Sequence, residues 1–138
     1  AMFYRTPTRK HTYQTEFDIS KVTELPKVDV VYAVSGGDGL QIHALIEAKV
    51  PGIVAAGAGA GSGSPDWNDA LAEASLQGIV VVMTSRVGAG RVTPTNRSKE
   101  QGIIAGDNLN AQKARILLML ALSVTRDKDR IQAMFETY

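Results

Sequence analysis

The 138-residue chain contains no cysteine, which excludes disulfides and thiolate-held metals and leaves the redox compartment unmarked. Aromatic residues make up 6% of it, with a single tryptophan, and the two histidines, His11 and His43, lie far apart. Such a pair supplies no tetrahedral metal set, and no metal is expected. No lysine falls between residues 50 and 98, so a phosphate-cradling loop ending in Gly-Lys-Ser/Thr is ruled out there. Neither sign of charge dominates. The formal net charge of +1 gives no argument for nucleic acid or an anionic membrane surface as partner. Long apolar runs are missing too: the longest, Ile116 to Val124, is far short of the ~20 residues of a membrane span.

What is present has the rhythm of a single α/β domain. Residues 1–24 hold little periodicity and a small basic cluster, Arg5, Arg9, Lys10 and His11, and read as an extended lead-in or interdomain linker. The cluster has no aromatic platform or wider basic face beside it, so it reads as a solvated hinge rather than a nucleic-acid contact. The opening Ala1-Met2-Phe3-Tyr4-Arg5 reads like the middle of a longer protein. From residue 25 to 138 strand and helix patterns alternate. "VDVVYAV" (28–34), "GIVAA" (52–56), "IVVVMTS" (79–85) and "GIIAG" (102–106) are short apolar runs rich in β-branched residues, expected as buried strands.

Leu40, Ala44, Leu45 and Ala48 recur at helical spacing, as do Trp67, Ala70, Leu71 and Ala74 after a Ser64-Pro65 start. Asn110 is expected to cap a helix carrying Ala114, Leu117, Leu118, Ala121 and Leu122. Asp127 to Tyr138 forms a last one, anchored by Ile131, Met134 and Phe135. Residues 86–101 show no period and read as a loop. Alternation of this kind needs crossover connections, hence a doubly wound, about four-stranded parallel sheet flanked by about four helices. Loops leaving the carboxyl ends of the strands, at 35–39, 57–64 and 85–101, then share one edge, where ligands bind in such folds.

The second of these loops, "GAGAGSG" (57–63), matches no nucleotide motif. A dinucleotide fingerprint needs a third glycine at the sixth position, where Ser62 or Ser64 stands instead. A nucleophile elbow needs glycines two residues either side of the serine, and Ser62 has Ala60 and Ser64. A triad of Ser62, His43 and Asp38 can be assembled on paper, but His43 falls within a helix pattern, where a lone histidine is ordinarily a surface residue. What remains is steric. Alternating glycines allow positive φ and close backbone approach, which suits a tight strand-to-helix turn. It equally suits a loop that presents Ser62 to a ligand or another chain.

Taken in order, "RTPTRKHT" (5–12), "FDIS" (17–20), "ELPKVDVVY" (24–32), "GIVAAGAGAGSG" (52–63), "SRVGAGRV" (85–92) and "LNAQKARILLMLAL" (109–122) closely resemble one family. It is the C-terminal domain of bacterial type II L-asparaginases and glutaminase-asparaginases, and the likeness covers essentially the whole chain. The resemblance implies hydrolysis of L-asparagine, and to varying degrees L-glutamine, to the acid and ammonia, with a threonine nucleophile and no metal or organic cofactor. The family's threonine motifs, Thr-Gly-Gly-Thr and His-Gly-Thr-Asp, belong to a larger N-terminal domain and do not occur in this sequence. No catalytic residue is therefore expected here, and the chain alone should be inactive.

In the family this domain completes the active site of a neighbouring subunit within a homotetramer, a dimer of dimers, and contacts its own N-terminal domain. The glycine loop reaches across. Ser62 takes the substrate-binding position, on a backbone freed by Gly59, Gly61 and Gly63. The family also brings a glutamate from the loop after "SRV". Residues 94–98 hold no acid, so either Glu100 is carried inward or that contact is lost. The type II likeness implies the periplasm or secretion, with the cytoplasm as the alternative. Rival readings are a non-catalytic dimerisation domain of a diverged amidohydrolase, and a small α/β module binding an anion at 57–64.

Overall fold

The structure is a computed structural model that describes residues 12–138. The basic cluster Arg5, Arg9, Lys10 and His11 lies outside them. Four strands, β1 (Val28–Tyr32), β2 (Gly52–Gly57), β3 (Val80–Ser85) and β4 (Ile104–Asn110), pair in parallel in the order β1-β2-β3-β4. Five α-helices accompany them: α1 (Leu40–Glu47), α2 (Pro65–Leu76), α3 (Asn96–Glu100), α4 (Ala111–Val124) and α5 (Lys128–Thr137).

The central strands β2 and β3 are almost wholly apolar because both their faces are covered, whereas β1 carries Asp29 and an exposed Tyr32 and β4 turns polar from Asp107 onward. On one face Val31, Ile53, Ala55 and Val81 meet Ile42 of α1 and Trp67 and Leu71 of α2. On the other, Val28, Val54, Val82 and Ile104 meet Leu118 of α4 and Ile131 and Phe135 of α5. The strand order runs sequentially across the sheet, so the second face is closed by the chain doubling back after β4. Caps set the helix starts as their sequences foretell. Ser64 accepts from the Trp67 N–H with Pro65 next in line, Asn110 from Lys113, and Asp127 from Arg130.

Two elements differ from expectation. The stretch read as a loop contains α3, a five-residue helix without a buried residue. It has no apolar period to announce it. A reciprocal cap starts it, with the Thr95 hydroxyl accepting from the Ser98 N–H and the Ser98 hydroxyl from the Thr95 N–H. Strand β4 starts and ends later than the 102–106 run, and it is bulged. Met83 pairs with Ala105, but Ser85, two residues on, pairs with Asn110. The lead-in is also tied down over its described part. Glu16 pairs with Arg130 at 2.5 Å, and Phe17 stacks obliquely on Tyr138 with ring centroids 5.2 Å apart.

Candidate functional site

The glycine stretch closes on itself immediately after β2. The Ala58 N–H donates to the Ser62 carbonyl at 2.7 Å, and the Ser62 N–H returns a bond to Ala58 at 2.8 Å. Reversal in so few residues needs left-handed backbone, with φ +53° at Gly59 and +99° at Gly61. Close approach explains the others. A Cβ on Gly57 would stand 2.3 Å from the Gly61 carbonyl carbon, and one on Gly63 would stand 2.2 Å from Cε3 of Trp67. All four glycines thus have a local structural reason. The turn they build leaves Ser62 exposed, with its hydroxyl free of hydrogen bonds among the described residues.

The other two carboxyl-edge loops brace this turn. The Ser64 hydroxyl donates to the Gly37 carbonyl at 2.5 Å, and the Ser85 hydroxyl donates to Gly59 at the same distance. Arg86 reaches two strands, its backbone N–H donating to Gly57 at 2.8 Å and its Nη1 to Ala33 at 2.7 Å. The edge is therefore a fixed shelf, held by side chains that bond to backbone rather than to one another.

Beside the turn lies a cavity of about 240 Å³ between the turn, α2 and the 92–98 segment. Gly61, Ser62, Asn68, Met83, Thr93 and Arg97 are among its walls. Among the described residues Arg97 is the one ionic side chain lining it, and no His, Asp, Glu or Lys does so. Hydroxyls, an amide and a guanidinium can bind and orient a small polar molecule. Nothing in the wall can take a proton from a nucleophile at neutral pH.

Of the residues expected at the site, Ser62 and Gly61 line the cavity, while Gly59 and Gly63 shape the turn without being part of the cavity wall. Glu100 ends α3, exposed, and is not part of that wall either. Nor is the paper triad assembled: His43 Nδ1 faces Glu73 at 3.6 Å, and the Asp38 carboxylate accepts from the Leu40 N–H at the start of α1. Among the described residues no three His, Asp or Glu side chains gather to hold a metal ion, and no helix is long and apolar enough to cross a membrane. Arg97 itself was passed over in the sequence. Thr95 three residues before Ser98 could have suggested a helix start there, but helical spacing alone leaves Arg97 and Glu100 as i,i+3 neighbours and does not say which of them lines the cavity.

A four-stranded parallel sheet covered by helices on both faces, with its carboxyl-edge loops gathered around one cavity, makes this an α/β domain. The family is specific: residues 27–135 match the Glutaminase/Asparaginase C-terminal domain, and the chain belongs to that family. It is 44% identical over 138 residues to a protein named L-asparaginase 2 from Escherichia coli, covering 99% of this chain and 40% of that protein. It is 40% identical to a probable periplasmic L-asparaginase of Haemophilus influenzae, again covering 99% of this chain and 40% of the relative. A crystal structure of a probable cytoplasmic L-asparaginase from Campylobacter jejuni superposes with a TM-score of 0.91 at 45% identity, over 99% of this chain and 45% of that one. The chain thus spans about two fifths of the length of the curated relatives it matches.

Proposed function

We propose that this chain is the substrate-closing domain of an amidohydrolase that converts L-asparagine, and to some extent L-glutamine, to the acid and ammonia. The observation that carries the reading is the cavity beside Ser62, which offers polar binding groups and, among the described residues, no His, Asp, Glu or Lys to act as general base. Family membership supports the same division of labour, with a threonine nucleophile on the larger N-terminal domain of a neighbouring subunit in a homotetramer. In this reading Ser62 and the backbone of Gly59, Gly61 and Gly63 face the amino-acid end of the substrate. Arg97 is the charged group that this wall contributes. The substrate ammonium is held by the other domain, because Glu100 stands outside the cavity. The type II likeness supports a location in the periplasm or outside the cell, with the cytoplasm as the alternative.

Ammonia release tests it. The full-length protein should release ammonia from L-asparagine, and the 138-residue chain alone should not. Turnover by the chain alone would place the catalytic groups in the wrong domain. No turnover by an intact full-length protein on either amide would favour the non-catalytic dimerisation reading.

The anion-binding alternative has one observation in its favour, the Arg97 guanidinium on the cavity wall. Inorganic phosphate titrated against the chain alone separates the two, since the proposed function expects no saturable binding.

A further inference from the structure

Asp107 is the most unusual backbone position near the site. It is nearly inaccessible, at 5% exposure, and it has φ +51° in the middle of the β4 bulge. Left-handed backbone is disfavoured for any residue with a side chain, with Asp and Asn the ones that tolerate it best. Strain of this kind persists only where surrounding contacts hold it.

Two of those contacts run to the same place. The Asp107 carboxylate pairs with Arg91 Nε, and the Asp107 carbonyl accepts the Val92 N–H at 2.9 Å, forming an isolated antiparallel bridge. Both partners belong to the segment that leaves β3, which has no strand of its own to fix it. Val92, 5% exposed, then carries the connection onward. A Cβ on Gly61 would stand 2.6 Å from Met83 Cγ and 3.5 Å from Val92 Cγ1, so both side chains border the turn, and all three residues line the cavity. Met83 sits in β3, held by the sheet. Val92 is held from Asp107.

We propose that Asp107 is a positioning residue for the cavity: through Arg91 and Val92 it holds the wall against which the Ser62 turn is seated. The left-handed backbone is what lets the bulge aim carbonyl and carboxylate at adjacent residues of one segment. A mobile wall would let the turn drift, and misplacement of a substrate-contacting group by about 1 Å is enough to weaken productive binding substantially. The kinetic part of this inference rests on the substrate role proposed for Ser62; the mechanical part does not.

The test uses Asp107→Gly, Asp107→Asn and Arg91→Gln in the full-length protein. Glycine keeps the backbone conformation at less cost and deletes the carboxylate. Asparagine keeps both the conformation and an oxygen acceptor for Arg91. Amide hydrogen exchange at Val92, Gly61 and Ser62 should accelerate about tenfold in Asp107→Gly and Arg91→Gln, with exchange at Val81 and Leu118 unchanged. Asp107→Asn should restore most of the protection. KM for the amide should rise by about tenfold in the first two variants with kcat within about twofold, the pattern of lost uniform binding.

Unchanged exchange at Gly61 and Ser62 in Asp107→Gly overturns the proposal, as does a uniform rise that includes Val81 and Leu118. Faster exchange confined to the turn with an unchanged KM upholds the positioning role and counts against the substrate role of Ser62.

Discussion

Gly63 lies so close to the indole of Trp67 that a Cβ there would fall 2.2 Å from Cε3. Trp67 is buried against the sheet and cannot step aside without disturbing Leu71 and the strands beneath. Gly63→Ala is therefore an overpacking change, expected to cost about 1–3 kcal/mol. Gly88 has open space around its Cβ position, and Gly88→Ala should stay within about 0.5 kcal/mol. Urea unfolding of the two variants checks the contrast. Equal midpoints would mean that the turn is not seated on the ring.

Ser62 is exposed at the crest of the turn, so changing it should alter selectivity with little effect on stability. A hydroxyl occupies less room than a carboxamide and leaves space for one more methylene in the substrate. Ser62→Asn in the full-length protein should raise the asparagine-to-glutamine ratio of kcat/KM by roughly tenfold, within the ~1–3 kcal/mol a methylene can decide. Steady-state kinetics on both amides read it. An unchanged ratio would return the turn to a purely architectural role.

The charge on the cavity wall is positive, and that separates two neighbours in α3. Arg97 lines the cavity and Glu100 does not. If the cavity takes the substrate, Glu100→Gln in the full-length protein should leave KM within about twofold, whereas Arg97→Gln should raise it, since of the two only Arg97 lines the cavity. A rise in KM for Glu100→Gln alone would show that the segment closes differently around substrate.

Lys128 links the two helical layers at the opposite edge of the sheet. Its Nζ donates to the Ser75 hydroxyl at 2.7 Å and to the Ser75 carbonyl, near the end of α2, at 3.1 Å. Burial pushes its pKa below the ordinary 10.5. A lysine with a lowered folded-state pKa binds fewer protons folded than unfolded, so stability rises with pH across the interval from the folded pKa up to about 10.5. Relative to Lys128→Met, the parent should therefore gain stability as pH is raised from neutrality toward 10.5. Urea midpoints for both proteins across that range test the sign. A parent that loses stability relative to the variant would contradict it.

The layers of the fold were legible because local signals agreed. Ser64-Pro65, Asn110 and Asp127 are caps that stand in front of apolar periods, and the β-branched runs are short enough to be only strands. The features that shape the site were hidden for a physical reason: they depend on what lies opposite. Gly63 is forced by a ring four residues on, Gly57 by Gly61, and the left-handed Asp107 by a bulge that no pairing rule reveals. Helix α3 carries no apolar residue to bury, so only its cap marks it. The sequence therefore gives no sign that Arg97 lines the cavity, and it points to Glu100 only as the acid nearest the position of the family's glutamate. Ser62 itself came from family likeness, since its local chemistry left an architectural turn and a presenting loop equally open.

Mixed subunits test the central claim most directly, that this domain completes a site whose nucleophile lies on another chain. Full-length protein carrying Ser62→Trp, with the turn blocked, is co-expressed at equal levels with full-length protein whose catalytic threonine is replaced by alanine. Each is expected to be inactive alone. If the turn serves a neighbour, random pairing across a two-fold interface joins an intact threonine to an intact turn in roughly a quarter of the sites. Ammonia release should return to about that fraction of the parent rate. If the turn serves its own chain, every site in the mixture carries one defect, and a mixture as inactive as its components would contradict the account.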